Sequence, residues 1–538
     1  MIRGRRGHIN LSSSVFRDFI ERDLLYVDKS AFIEHVLEEN SDVLLITRPR
    51  RMGKSLNLNM LRSFMDVKQS SVEEGLFEGL YIEDRPCLGE ANSVPVVYLN
   101  FKEFSKDAYE EMFFLSICDQ AEIYLATEQY SRSLTASLAE GSKLLSNALR
   151  FLIESLHATY GTRPFVLIDE YDKLIMDSAN TPHFDEVRNF TKAVLSSALK
   201  DNPSLGKAVL TGVNRIAQES LFSDLNNLRV LDVFTPSAFD RDFGFTEEEI
   251  DELCTPEELA SVREWYNGER IGDSLVYFTY SVMSYLSIGK LDNYWGQSGT
   301  TEKIHSHLTN DRIDTIVELV NGFGSYEIQK TVKKRLTAQD IEGYSTDASF
   351  YSLLVQTGYL TYEPTEELDS YLLRLANREL VSVWRDFILT DLFGLQQRNV
   401  QDTLATITDP EYFADAFTDL ISNRLSYFDF NKRKPEKTYH AFISGILAGA
   451  AIPFASNRES GFGRYDVMAL LPDKTIIFEF KTATSAEGMH EAAEEALTQI
   501  TERNYAADAP PGKPVYDVGI GFYGKEARVA AQEPSTSK

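Results

Sequence analysis

The chain reads as an α/β protein in three parts: a mostly parallel sheet at the N-terminal end, a helical middle, and a second α/β unit at the C-terminal end. Three observations predict this. Apolar runs at Val43–Thr47, Val94–Phe101, Phe165–Asp169 and Ala208–Thr211 alternate with helical segments between about residues 40 and 240. From Thr246 helical periodicity dominates to about residue 360. Near the C-terminal end, two strand-like runs, Tyr465–Leu471 and Thr475–Lys481, precede a long helical segment, Ser485–Arg503. A chain of 538 residues, 43% of them hydrophobic, can bury several cores and suggests roughly three domains. Boundaries are placed at 1–245, 246–380 and 381–538.

The first run, Val43-Leu44-Leu45-Ile46, leads into Thr47-Arg48-Pro49-Arg50-Arg51-Met52-Gly53-Lys54-Ser55. Leu56–Met65 then reads as a helix. Strand, tight loop closing on Gly-Lys-Ser, then helix is the context of a phosphate-binding P-loop. Backbone N–H groups at a helix N-terminus cradle phosphate, and the helix dipole favours its charge. Arg51, Met52, Gly53, Lys54 and Ser55 are the expected cradle. Lys54 is placed at the β/γ-phosphates and the Ser55 hydroxyl on Mg²⁺, so ATP and Mg²⁺ are the expected cofactors. Arg48 stands where the consensus G-x-x-x-x-G-K-[ST] has its first glycine, and Pro49 removes one donor.

Phe165-Val166-Leu167-Ile168 ends in Asp169-Glu170, 115 residues after Lys54 (169 − 54). This is the form of a Walker B strand. Asp169 is expected to hold Mg²⁺ and Glu170 to polarise the attacking water. Lys207–Thr211 ends in Gly212-Val213-Asn214-Arg215, where Arg215 is a candidate γ-phosphate sensor. An ordinary strand end is the other reading of that segment.

Thr246-Glu247-Glu248-Glu249 has the form of a capping box at a helix start. A helix over Ala348–Thr357, stopped by Gly358, precedes two strands, Tyr359–Tyr362 and Tyr371–Ala376. Helix then hairpin fits a winged-helix arrangement or any small α+β module.

In the C-terminal part, period-two alternation puts Ile476, Phe478 and Phe480 on one strand face and Ile477, Glu479 and Lys481 on the other. Asp466 comes from the hairpin partner, at the mouth of the Gly- and Arg-rich segment 457–464 containing Arg458 and Arg464. Two carboxylates and a lysine fit a Mg²⁺ nuclease site: Asp466 and Glu479 as oxygen ligands, Lys481 orienting water and neutralising charge. A solvated face with a cross-strand ion pair is the competing reading. Glu436 precedes the helix with Tyr439 and His440 and is a further candidate ligand; Gln499 and Tyr505 close the long helix that follows.

The whole set resembles bacterial proteins with an AAA-ATPase-like domain followed by a PD-(D/E)XK nuclease-superfamily domain. The residues carrying the resemblance include Tyr26-Val27-Asp28-Lys29-Ser30, Arg48–Ser55, Leu167–Asp172, Thr211–Arg215 and Trp265-Tyr266-Asn267-Gly268. Gly358-Tyr359-Leu360, Glu436 with Tyr439-His440, and 457–466 continue it, so it spans about residues 10 to 525. The resemblance implies a P-loop NTPase domain and a restriction-endonuclease-like domain, with ATP, Mg²⁺ and DNA or RNA as partners. It is compatible with a homo-oligomer.

The net charge of −28 (54 basic, 82 acidic side chains) argues against broad attraction to DNA or anionic membrane, though not against a local basic cleft. Three scattered cysteines, Cys87, Cys118 and Cys254, make neither a disulfide framework nor a metal pattern, and a cytoplasmic setting is expected. The longest apolar segment, 441–455, contains Gly445, Gly449 and Pro453 and is too short to span a bilayer. Two functional classes follow. One is an ATPase controlling a nuclease. The other is an ATP-dependent switch whose C-terminal domain binds nucleic acid or protein without cutting.

Overall fold

The computed structural model describes residues 2–4, 6–125, 145–216, 225–296, 304, 307–343, 346–425, 435–456, 459–460 and 463–534. Arg458 and the side chain of Glu436 lie outside the described residues. Two compact units form, one from 1–297 and 329–379, the other from 298–328 and 380–538. The segment 246–380 is thus divided between them: its central part, 298–328, groups with the C-terminal residues.

The first unit is built on five parallel strands: β1 (Val43–Thr47), β2 (Val96–Asn100), β3 (Phe165–Asp169), β4 (Lys207–Gly212) and β5 (Leu228–Leu231). Their order is β2-β3-β4-β1-β5, so β4 separates the two strands that lead into Arg48–Ser55 and Asp169-Glu170. Continuous apolar sequence suits strands covered on both faces, and every residue of β1, β3 and β4 is buried. Helices Ala148–Tyr160 and Phe184–Leu199 supply one cover, placing Leu152, Ile153, Val194 and Leu195 against Val43, Leu45, Val166 and Ile168. Helix α1 (Lys54–Met65) starts at Gly53, whose φ of 85° suits glycine better than any other residue.

Residues beyond the sheet complete this unit. Phe245 and Tyr277 exchange backbone hydrogen bonds of 3.0 and 2.8 Å. Thr246 and Glu249 form the expected capping box. The helix Asp347–Thr357 ends at Gly358, which is left-handed, and leads into the antiparallel pair Thr361–Pro364 and Ser370–Arg374.

The second unit has a mixed five-stranded sheet, β6 (Phe454–Ser456), β7 (Val467–Leu470), β8 (Thr475–Thr482), β9 (Val515–Tyr523) and β10 (Glu526–Ala531), in that order. β8 and β9 are parallel; the other neighbours are antiparallel. Helix α2 (Pro435–Gly449) lays Tyr439 flat on Phe522, ring centroids 3.9 Å apart. Helix α3 (Met489–Glu502) is the crossover from β8 to β9. The helix Asn310–Asn321 joins this unit by sequence-distant bonds: Asn310 donates to the Thr438 hydroxyl at 3.0 Å, and Asn321 to the Phe454 carbonyl at 2.8 Å. Among the described residues no helix is long and apolar enough to cross a membrane.

Candidate functional site

Two centres emerge, one in each unit. In the first, the C-terminal ends of β1, β3 and β4 converge. The Ser55 hydroxyl, at the start of α1, donates to Asp169 Oδ2 at 2.5 Å, and the Thr211 hydroxyl donates to Asp169 Oδ1 at 2.6 Å. Tyr98 of β2 also approaches Asp169; burial first, and then that carboxylate, pushes its phenol pKa up. Lys54 is 5% exposed, and its ammonium donates to the carbonyls of Arg48 (3.0 Å) and Pro49 (2.8 Å). Burial lowers its pKa, while Glu170, Asp169 and Asp172 work against that. Glu170, with φ 55°, is buried enough that desolvation raises its pKa; Lys54 opposes the rise. The buried Lys54 ammonium is held by two neutral loop carbonyls, which an anionic ligand could replace as its partner.

The loop itself is shaped by contacts behind it. Arg51 has φ 66°, and its guanidinium lies 4.2 Å from the centre of the Tyr280 ring. Its carbonyl accepts from the Thr279 hydroxyl at 2.7 Å, and the Met52 carbonyl accepts from Gly244 N at 3.2 Å. Arg215 lies at the end of β4, where its side chain pairs with the fully buried Asp232 and its backbone N–H donates to Gln356 at 2.7 Å. Asp172 gathers the neighbouring turn, accepting from the backbone N–H of Asn214 at 2.7 Å and from its side-chain amide at 3.0 Å. Thr211, Tyr98 and Asp172 are parts of this centre whose place the sequence reading missed. Thr211 and Tyr98 lie on strands and become neighbours of Asp169 only through sheet order.

In the second centre, the register Val467↔Phe478 carries Asp466, one residue before β7, to the edge of Glu479. Asp466 Oδ2 accepts from Phe480 N at 2.7 Å, and Asp466 N donates to Glu479 Oε2 at 3.4 Å. The Gln499 amide of α3 donates to Glu479 Oε1 and lies 3.1 Å from the Tyr505 hydroxyl. Glu479 is 4% exposed, and burial, with Asp466 beside it, pushes its carboxyl up to about 8. His440 of α2 bonds to the Asp466 backbone, and burial holds its pKa below the ordinary value. Lys481, two residues along β8 from Glu479, is half-buried and opens onto a cavity of about 490 Å³ lined by Glu491, Glu494, Glu495 and Glu502 of α3 and by Arg503 just beyond it. Among the described residues no three His, Cys, Asp or Glu converge as a metal cluster. Two adjoining carboxylates fit a cation that retains several waters, whose charge would offset the burial and mutual repulsion that raise the Glu479 pKa.

Residues 11–222 match the profile of the family described as predicted AAA-ATPase, and residues 434–532 match that of the PD-(D/E)XK nuclease superfamily. The chain is 26% identical over 521 residues to a protein of Azotobacter chroococcum mcd 1 described as an uncharacterized protein in the vnfD 5' region, with 93% of each chain covered.

Proposed function

We propose that this chain, which carries an AAA-ATPase-like domain and a PD-(D/E)XK nuclease-superfamily domain, binds and hydrolyses ATP in its first unit and thereby controls Mg²⁺-dependent cleavage of nucleic-acid phosphodiesters in its second. The observation that carries the reading is that Ser55 bonds to Asp169 in the first unit and Asp466 to Glu479 in the second, although each pair is separated in sequence.

In the first unit Arg51, Met52 and Gly53 present the loop backbone, and Lys54 reaches the β/γ-phosphates. Ser55 and Asp169 supply the oxygens for Mg²⁺, and Arg215 stands at the γ-phosphate end. Glu170, held near Lys54, orients and polarises the attacking water. In the second unit Asp466 and Glu479 hold the metal, with Glu436 as a further ligand. Lys481, on the same strand face as Glu479, orients the attacking water and meets the phosphate. Mg²⁺ there supplies neutralisation of the charge that develops on the phosphodiester.

A specific observation favours a second reading, the non-cleaving switch. The four glutamates of α3 beside Lys481 repel a phosphate backbone, and Lys481 with Arg503 offsets only part of their charge.

The first test is on the ATPase centre. Glu170→Gln is expected to bind Mg-ATP by calorimetry but to release phosphate about 10²- to 10⁴-fold more slowly. Asp169→Asn is expected to weaken Mg²⁺-dependent binding. Wild-type turnover in both variants would overturn the catalytic reading of Asp169 and Glu170.

A further inference from the structure

The phosphate loop is braced from behind by residues far along the chain. The Trp295 indole N–H donates to the Arg50 carbonyl at 3.4 Å. Its ring packs edge-on against Tyr359, centroids 4.8 Å apart, and beside Phe278 at 5.4 Å. Gly358 abuts Pro49 so closely that an added Cβ would come within 3.0 Å of the proline ring. Thr279 and Tyr280 both donate to the Arg51 carbonyl, at 2.7 and 3.4 Å.

Trp295 is in turn fixed by one carboxylate. Glu379 is fully buried, and its Oε1 accepts from Tyr294 N at 2.9 Å and from Trp295 N at 2.8 Å. The positions of these residues in the chain are informative. The chain leaves the first unit after Gln297, two residues beyond Trp295 (297 − 295), and leaves it for the last time after Glu379 itself. Glu379 lies in the first turn of the helix Arg378–Asp386, which runs on into residues of the second unit. One carboxylate therefore joins both departures of the chain, and one indole joins that carboxylate to the loop.

A peptide plane is rigid, so a carbonyl cannot turn without its N–H partner. The Arg50 carbonyl shares a plane with Arg51 N–H, and the Arg51 carbonyl shares one with Met52 N–H. A phosphate that draws those N–H groups inward rotates the carbonyls on which Trp295, Thr279 and Tyr280 hang. Arg51 adopts φ 66°, a sparsely populated conformation, at the point where these contacts meet the loop.

We propose that Trp295 and Glu379 are the link by which occupancy of the Arg50–Ser55 loop reaches the second unit. The proposal rests on the reading of that loop as the ATP site. Trp295 and Glu379 act as positioning residues, since they reach the loop through the Arg50 carbonyl and not through the N–H groups expected to face phosphate.

The experiment uses the full chain and a non-hydrolysable ATP analogue with Mg²⁺. Affinity is read by calorimetry, and backbone hydrogen exchange is read separately over 298–328 and 380–395. In the wild type, nucleotide is expected to change exchange in both segments. Trp295→Phe keeps an aromatic ring but loses the donor and part of the indole volume. It should bind the analogue no more than about tenfold more weakly, the worth of one neutral hydrogen bond, yet lose the exchange response. Glu379→Ala should lose the response too. Glu379→Gln retains an acceptor for both N–H groups and should restore it; burial already pushes the Glu379 carboxyl up to about 7, so the neutral amide is a close mimic. If the wild type binds but shows no response, or Trp295→Phe responds fully, the link is overturned while the ATP site stands. If the wild type binds no nucleotide, the ATP reading falls and the link with it.

Discussion

Arg48 holds a position where the usual phosphate-loop consensus has glycine, and its side chain shows what it does there. It is fully buried, and its guanidinium donates to the carbonyls of Thr47 at 2.9 Å and Leu231 at 2.8 Å. Asp240 lies 3.9 Å away and the Phe243 ring 5.4 Å. The residue ties the loop to β5 and to the segment that follows it, and five fixed donors suit that task where lysine would not. Glu379 is a second buried charge-bearing group, and its titration is testable. Its folded-state pKa of about 7 exceeds its ordinary 4.5, so the folded protein holds a proton that the unfolded chain has lost. Its favourable contribution is therefore full below the unfolded value and is lost as pH rises through the folded one. Relative to Glu379→Gln, the wild type should lose stability on the order of 3 kcal/mol between about pH 4.5 and 7. Urea midpoints of both proteins across that range check this, and parallel profiles would contradict it.

At the scale of elements, α3 lies with its backbone directly on β9. A Cβ built at Gly521 would sit 2.0 Å from the Met489 carbonyl oxygen and 2.9 Å from Ala493 N. No flexible side chain is there to yield. Gly521→Ala is expected to destabilise the second unit by about 1–3 kcal/mol or more, read as a lower urea midpoint with Mg-ATP binding retained; an unchanged midpoint would show that helix and strand can separate at no cost. Much of this level was legible in the sequence. The apolar runs that become β1 to β4 are long enough to register, and so is the Thr246 capping box. β5 was missed because Leu228-Arg229-Val230-Leu231 is four residues with a charge inside, and its neighbourhood reads as a polar edge. The period-two pattern pairs Glu479 with Lys481 on one face. It does not show that the Glu479 side chain is buried, because α3 covers that face through Gln499. Nor could spacing show that Arg215 has an acid partner in Asp232, since they stand seventeen positions apart (232 − 215) on either side of β5.

At the scale of the molecule, the residues matching the ATPase family profile end at 222, yet the loop's rear wall comes from Gly244, Thr279, Tyr280, Trp295 and Gly358. The grouping of 1–297 with 329–379 has the same cause. Leu25 and Val27 share a core with Tyr266, Tyr277 and Val282, so removing the later residues strips apolar cover from the earlier ones. A chain ending at Phe245 is therefore expected to aggregate or to bind no Mg-ATP in calorimetry; full-length affinity in that chain would contradict this. The central claim, that nucleotide state governs a phosphodiester-cleaving site in the same chain, has one direct measurement. Labelled single- and double-stranded DNA and RNA are incubated with the wild type, Lys54→Ala and Glu479→Ala, in Mg²⁺ or Mn²⁺, with and without ATP. The wild type is expected to cut at least one substrate, Glu479→Ala to cut none, and Lys54→Ala to lose the response to ATP. No cleavage of any substrate in any condition, together with no metal bound near Asp466, would contradict that claim and leave the non-cleaving switch in its place.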